Sequence, residues 1–235
     1  MPVVTINGQI GSGAREIGPV VAQSLGVDYV DRLVLAEAGR RVGASVAALA
    51  EKEQRLVPLR QRVSRLLQAA LERSASSGGA GDPFFQPSLE ALTLSPYPET
   101  TRGEPITQAQ ELDDQRFMEA VSQVIKDLAA DNNVVILGRA SSLVLKGWPG
   151  ALHVSTIATT EYCVETMMRR EGITKDAATK LVTEQERGRI SYFRRFYKAD
   201  PVAPFLYHLT INVPEIGIDA AARIIVEAAN LRAKG

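Results

Sequence analysis

The chain has 235 residues, 45% of them hydrophobic, which is enough apolar material for one large or two small domains. Its 27 Lys plus Arg balance 27 Asp plus Glu, so no whole-surface field draws it to nucleic acid or anionic lipid, and any anion site must be local. A single cysteine, Cys163, excludes an intramolecular disulfide framework, and the histidines, His153 and His208, form no zinc-binding cluster. A reducing cytoplasm is the expected compartment. No basic, apolar leader precedes the first strand-like run, so neither cleavage nor export is expected. No apolar run approaches the roughly 18 residues of a membrane helix.

Residues 3–6 are a short β-branched run ending at Asn7-Gly8, and an apolar series at Ile17, Val21 and Leu25 follows with helical spacing. The order is strand, glycine loop, helix. Pro19 falls inside that helix and predicts a kink or a weak turn; Gly26 predicts its end. A second strand is expected over 27–30, and three helices over 33–42, 45–56 and 59–73. Residues 74–105 hold four glycines and five prolines without a sustained period and read as a long irregular excursion. A long helix is then expected from Thr107, a strand over 134–137, a strand over 152–157, helices over 161–170 and 175–197, a strand over 209–213 and a closing helix over 218–231. Strands alternating with helices predict a parallel sheet covered on both faces.

In such a sheet ligands bind beyond the carboxyl ends of the strands. The first strand is followed by Gly8-Gln9-Ile10-Gly11-Ser12-Gly13-Ala14-Arg15-Glu16. Glycines let several backbone N–H groups converge, and the helix start adds partial positive charge, a combination suited to phosphate. A plain glycine turn packing helix on strand is the alternative. Against the phosphate-loop pattern GxxxxGK[ST], Gly8 and Gly13 match, but Ala14 stands at the lysine position and Arg15 at the magnesium-binding hydroxyl.

The run 11–18, followed by Tyr29-Val30-Asp31, resembles the cytidylate kinase-like family of P-loop proteins. Residues 134–139, 189–197 and 207–212 resemble its middle and carboxyl-terminal signatures in the same order. The resemblance covers most of the chain outside 74–105. It implies an α/β, three-layer P-loop kinase fold with a five-stranded parallel sheet, a helical acceptor-binding insertion over 32–110 and an arginine-bearing lid over 175–205, all in one domain spanning 1–235. It further implies ATP as phosphate donor, Mg2+ bridging the donor phosphates, and a nucleoside monophosphate acceptor, CMP or dCMP. The candidate donor-phosphate residues are Gly8, Gly11, Ser12, Gly13, Ala14, Arg15 and Glu16.

Gly138-Arg139 stands where cytidylate kinases carry Gly-Arg-Asp, whose arginine holds the acceptor phosphate; a forked guanidinium suits that task, and Ala140 replaces the aspartate. Residues 187–195 carry Arg187, Arg189, Arg194 and Arg195 among aromatics, a set expected to neutralise charge during transfer. On a helical wheel Arg187, Arg194 and Arg195 group together, with Arg189 to one side; a solvated charged face is the alternative. Asp31 has three readings: orienting the acceptor nucleoside, carrying a water-bound magnesium ion, or capping the next helix. His153, His208 and Cys163 read as packed core residues. Residues 55–73 form a basic amphipathic stretch, read as part of the acceptor subdomain, packed on the core or on a second subunit, rather than as a membrane helix. A homodimer is expected, with neither nucleic acid nor membrane as partner. The rival to a kinase is a nucleotide-binding module with weak or no transferase activity, because the loop lysine is missing.

Overall fold

A computed structural model describes residues 2–31, 35, 108–131 and 133–233, with side chains in the helix after residue 107 described from Gln115 onward. The expected helices over 33–73, the excursion over 74–105 and most of the insertion over 32–110 lie outside the described residues.

Five strands, β1 (Val3–Gly8), β2 (Asp28–Val30), β3 (Val134–Leu137), β4 (Leu152–Ile157) and β5 (Leu209–Asn212), form one parallel sheet in the order β2-β3-β1-β4-β5. Seven helices are described: α1 (Ala14–Leu25), α2 (Gln108–Ala130), α3 (Ser141–Val144), α4 (Thr160–Glu171), α5 (Lys175–Tyr197), α6 (Val213–Ile216) and α7 (Ile218–Arg232). This is the expected three-layer arrangement. Alternate residues of β1 supply opposite layers: Val4 and Ile6 pack with Ile17 and Val21 of α1 and Ile225 of α7, whereas Val3 packs with Val121, Val124 and Ile125 of α2. Both faces of the central strands are therefore dry, which is why they read as continuous apolar runs.

The expected strand over 209–213 stops at Asn212 because Val213 and Pro214 open the short helix α6, proline being tolerated in a first helical turn. The helix α1 continues through Pro19 as one element, with the proline ring on its exposed side. Only the bond to the Arg15 carbonyl is forfeited, one turn from the helix start.

Threonine caps and a glycine turn define the α4–α5 hairpin. Thr159 caps α4 by accepting the Tyr162 N–H at 3.2 Å, and Thr174 caps α5 by accepting the Ala177 N–H at 3.4 Å. Gly172, left-handed at φ 64°, ends α4 and turns the chain. The hairpin has its own small core of Cys163, Val164, Met167, Ala178 and Val182, with Ile10 of the glycine loop packed against it.

Candidate active site at the strand ends

The loop after β1 is fixed from inside. Ser12 Oγ donates to the Gln9 carbonyl at 2.7 Å and shares a buried 2.7 Å hydrogen bond with Thr156 Oγ1 of β4, while the Ser12 N–H donates to the same Gln9 carbonyl. Ser12 thus fixes the shape of the loop with its side chain turned inward, away from the cleft. Gly8 is required by the same junction, because a Cβ there would lie 2.1 Å from Thr156 Oγ1. At Gly11, φ is +80° and a Cβ would stand 2.6 Å from the Cys163 carbonyl oxygen, so both backbone conformation and the underside of α4 demand glycine. Burial beneath this loop pushes the Cys163 thiol up to about 11, which suits packing rather than nucleophilic chemistry.

Gly13 occupies the N-cap of α1 in a left-handed conformation, and the first helical bond runs from the Ile17 N–H to the Gly13 carbonyl. The preceding N–H groups of that first turn have no intrahelical acceptor and carry the positive end of the helix dipole. They bound a cleft lined by Gly8, Gly11, Gly13, Ala14, Arg15 and Glu16 from the loop and α1. Gly138 and Arg139 from beyond β3, Arg170 from α4, and Gln185 and Arg189 from α5 also line it.

Arg139 arrives by an unusual backbone. Gly138, Arg139 and Ala140 are consecutively left-handed, at φ 79°, 53° and 52°, a conformation costing non-glycine residues roughly 1–2 kcal/mol each. Such strain concentrates at functional positions. It persists here because the Gly138 N–H donates to the Ile6 carbonyl at 2.9 Å and Ala140 is fully buried against Tyr192 and Phe193. The Arg139 side chain is only 6% exposed, and its charge reaches α5. Burial pushes the Tyr197 phenol upward, opposed by the neighbouring Ser122 and Tyr192 hydroxyls and by the nearby Arg139 guanidinium.

Of Arg187, Arg189, Arg194 and Arg195, only Arg189 lines this cleft. It is 6% exposed and forks onto Glu186 through Nε at 2.8 Å and Nη2 at 2.7 Å. The residue set to one side on the helical wheel is the one that faces the glycine loop. Arg187 and Arg194 line a second cleft with Gln9, Ile10, Thr160 and Ser191, and Arg195 lies over the Phe196 ring at 5.1 Å. Asp31 is not among the residues lining this cleft, and its carbonyl accepts the Leu35 N–H at 3.1 Å.

Arg170 and Gln185 were not anticipated. Arg170 sits 2.6 Å from Glu171 and 3.6 Å from Glu16 across the cleft. The sequence signal for it was slight, a basic last turn before Gly172.

The family model for the cytidylate kinase-like family matches residues 3–215. No curated protein gives a significant match. An uncharacterized protein from Eubacterium ventriosum ATCC 27560 is similar at 12% identity, TM-score 0.62, over 98% of this chain and 99% of that one. A gluconokinase from Sinorhizobium meliloti 1021 is similar at 14% identity, TM-score 0.50, over 99% of this chain and 94% of that one. Both likenesses are to the fold. With the glycine loop opening α1, the strand order and the family match over nearly the whole length, the chain belongs to the cytidylate kinase-like family.

Proposed function

We propose that the protein transfers the γ-phosphoryl group of ATP to a nucleoside monophosphate, CMP or dCMP. Membership of a kinase-like family supports nucleotide-dependent phosphoryl transfer in general. The observation that carries a phosphate-bearing acceptor as well as donor is the convergence of Arg15, Arg139, Arg170 and Arg189, from four separate places in the chain, on one glycine cradle; the choice of CMP or dCMP follows the family. Phosphoryl transfer asks for positioning and neutralisation of spreading charge, with little covalent chemistry from the protein. Four guanidiniums and a helix start supply that.

In this reading the loop N–H groups and Arg15 hold the β- and γ-phosphates, Arg15 replacing the charge that Ala14 lacks. Arg139 holds the acceptor phosphate with its oxygen toward the donor. Arg189 and Arg170, carried on the α4–α5 hairpin, cover the transferring group and keep water from competing with the acceptor. Magnesium, when bound, neutralises donor charge. The hydroxyl that P-loop proteins offer it is missing, since Arg15 occupies that position and Ser12 Oγ is engaged in the loop; the cleft does fit the metal through another oxygen, that of Glu16.

Ala14 favours a second reading, a nucleotide-binding module in which closure of the hairpin is the output. A coupled assay of ADP formation across the common nucleoside monophosphates, with gluconate as a sugar-acid control, separates the two. ADP formed with CMP or dCMP above the ATP-only background supports the proposal. ATP binding without acceptor-dependent ADP supports the module.

A further inference from the structure

The first turn of α1 carries a negative charge into a cleft otherwise rich in cations. Glu16 is the only carboxylate among the described residues lining it. Its Oε2 is buried without a hydrogen-bond partner, and its Oε1 meets Arg170 Nη1 at 3.6 Å. Arg170 is held more closely elsewhere, its Nε 2.6 Å from Glu171 Oε1.

A glutamate at this helical position commonly reaches back to the N–H of the capping residue. Oε2 makes no such bond. The Glu16 side chain is 30% exposed and paired with Arg170, yet the shielded Oε2 forgoes a hydrogen bond at some cost, and an incoming polyphosphate would meet the carboxylate with like charge. A small hard cation between carboxylate and phosphate removes both costs. Magnesium in nucleotide sites is held in that way, by one or two carboxylates together with substrate phosphates.

We infer that Glu16 is the protein's own ligand for the divalent cation that accompanies the donor polyphosphate, offering Oε2 in place of the hydroxyl lost at Arg15. The inference rests on the proposed binding of a donor nucleotide in this cleft. It is tested by calorimetric titration of ADP into wild type, Glu16→Gln and Arg170→Ala, each in EDTA and in Mn2+. In wild type Mn2+ is expected to tighten ADP by about tenfold, within the usual range for coupled ligands. In Glu16→Gln that enhancement is expected to fall below about twofold, while metal-free ADP binds as well as before or better because the like charge is gone. Arg170→Ala is expected to keep the enhancement. A Glu16→Gln protein with the wild-type enhancement overturns the inference and leaves the nucleotide reading intact. So does a Glu16→Gln protein that weakens equally with and without metal, in parallel with Arg170→Ala, because Glu16 would then act only by holding Arg170. Wild type that binds ADP in neither condition overturns the nucleotide reading, and this inference with it.

Discussion

His153 gives the fold a defined weakness in acid. It is 5% exposed on β4, where its Nε2 lies 3.2 Å from the Leu145 carbonyl and its Nδ1 2.9 Å from Thr5 Oγ1. A neutral ring meets both by donating from Nε2 and accepting at Nδ1. His208 stacks on it at 4.8 Å, and its Nδ1 accepts the His153 N–H at 2.9 Å. Burial first, then the charge of His208, lower the His153 pKa from 6.5 to about 4, against a raising contribution from the Leu145 carbonyl and with a smaller lowering one from Arg232. The unfolded chain therefore takes up the proton before the folded one does. Stability is complete above pH 6.5 and is lost as the pH falls from there towards 4. At about 1.36 kcal/mol per unit the loss reaches about 3 kcal/mol, a large share of the roughly 5–15 kcal/mol of a typical domain. Urea unfolding of wild type and His153→Gln, followed from about pH 7.5 to pH 4, should show the wild type losing about 3 kcal/mol more than the variant, other groups titrating alike in both. Parallel losses in the two proteins would refute the reasoning.

Arg139→Ala should weaken CMP binding by about 1.5–3 kcal/mol, the range for hydrogen bonds to charged groups, and leave ATP affinity nearly unchanged in calorimetry. Arg15→Ala should slow turnover at least about tenfold, near 1.4 kcal/mol of transition-state stabilisation, with unaltered thermal unfolding. Arg15→Lys should recover only part of that rate, because a lysine lacks the fork. Gly11→Ala combines φ +80° with a Cβ 2.6 Å from the Cys163 carbonyl oxygen. It should cost about 1–3 kcal/mol in urea unfolding, as strained special-φ positions do, and should abolish ATP binding.

The sheet was legible because parallel strands buried on both faces leave short apolar runs, and the helices between them repeat at helical spacing. Element ends moved by a residue or two where chemistry at the boundary decided them, as Pro214 did in starting α6 directly after β5. The glycine loop and Gly138-Arg139 were legible because each directly follows a strand. Sequence spacing does not say which helix face meets a neighbour, however. A wheel separates Arg189 from the other three arginines without saying which side meets the cleft; that is set by α5 following α4 through the Gly172 turn. Arg170 was hidden for the same reason, being brought to the cleft by the packing of Cys163 and Met167 in the hairpin core. The bond from Ser12 to Thr156 was not legible because the two residues lie 144 positions apart. The left-handed backbone of Arg139 and Ala140 has no local signature at all, since neither is a residue type that favours it.

The most direct measurement of the proposed phosphoryl transfer follows the label itself. Wild-type protein would be incubated with ATP labelled at the γ-phosphate, Mg2+ and CMP, and the nucleotides separated over time. Label should appear in CDP at the rate at which ADP forms, and that transfer should be lost in Arg139→Ala at CMP levels that saturate the wild type. Label that stays on ATP, or that passes only to inorganic phosphate whether or not CMP is present, would contradict the assignment.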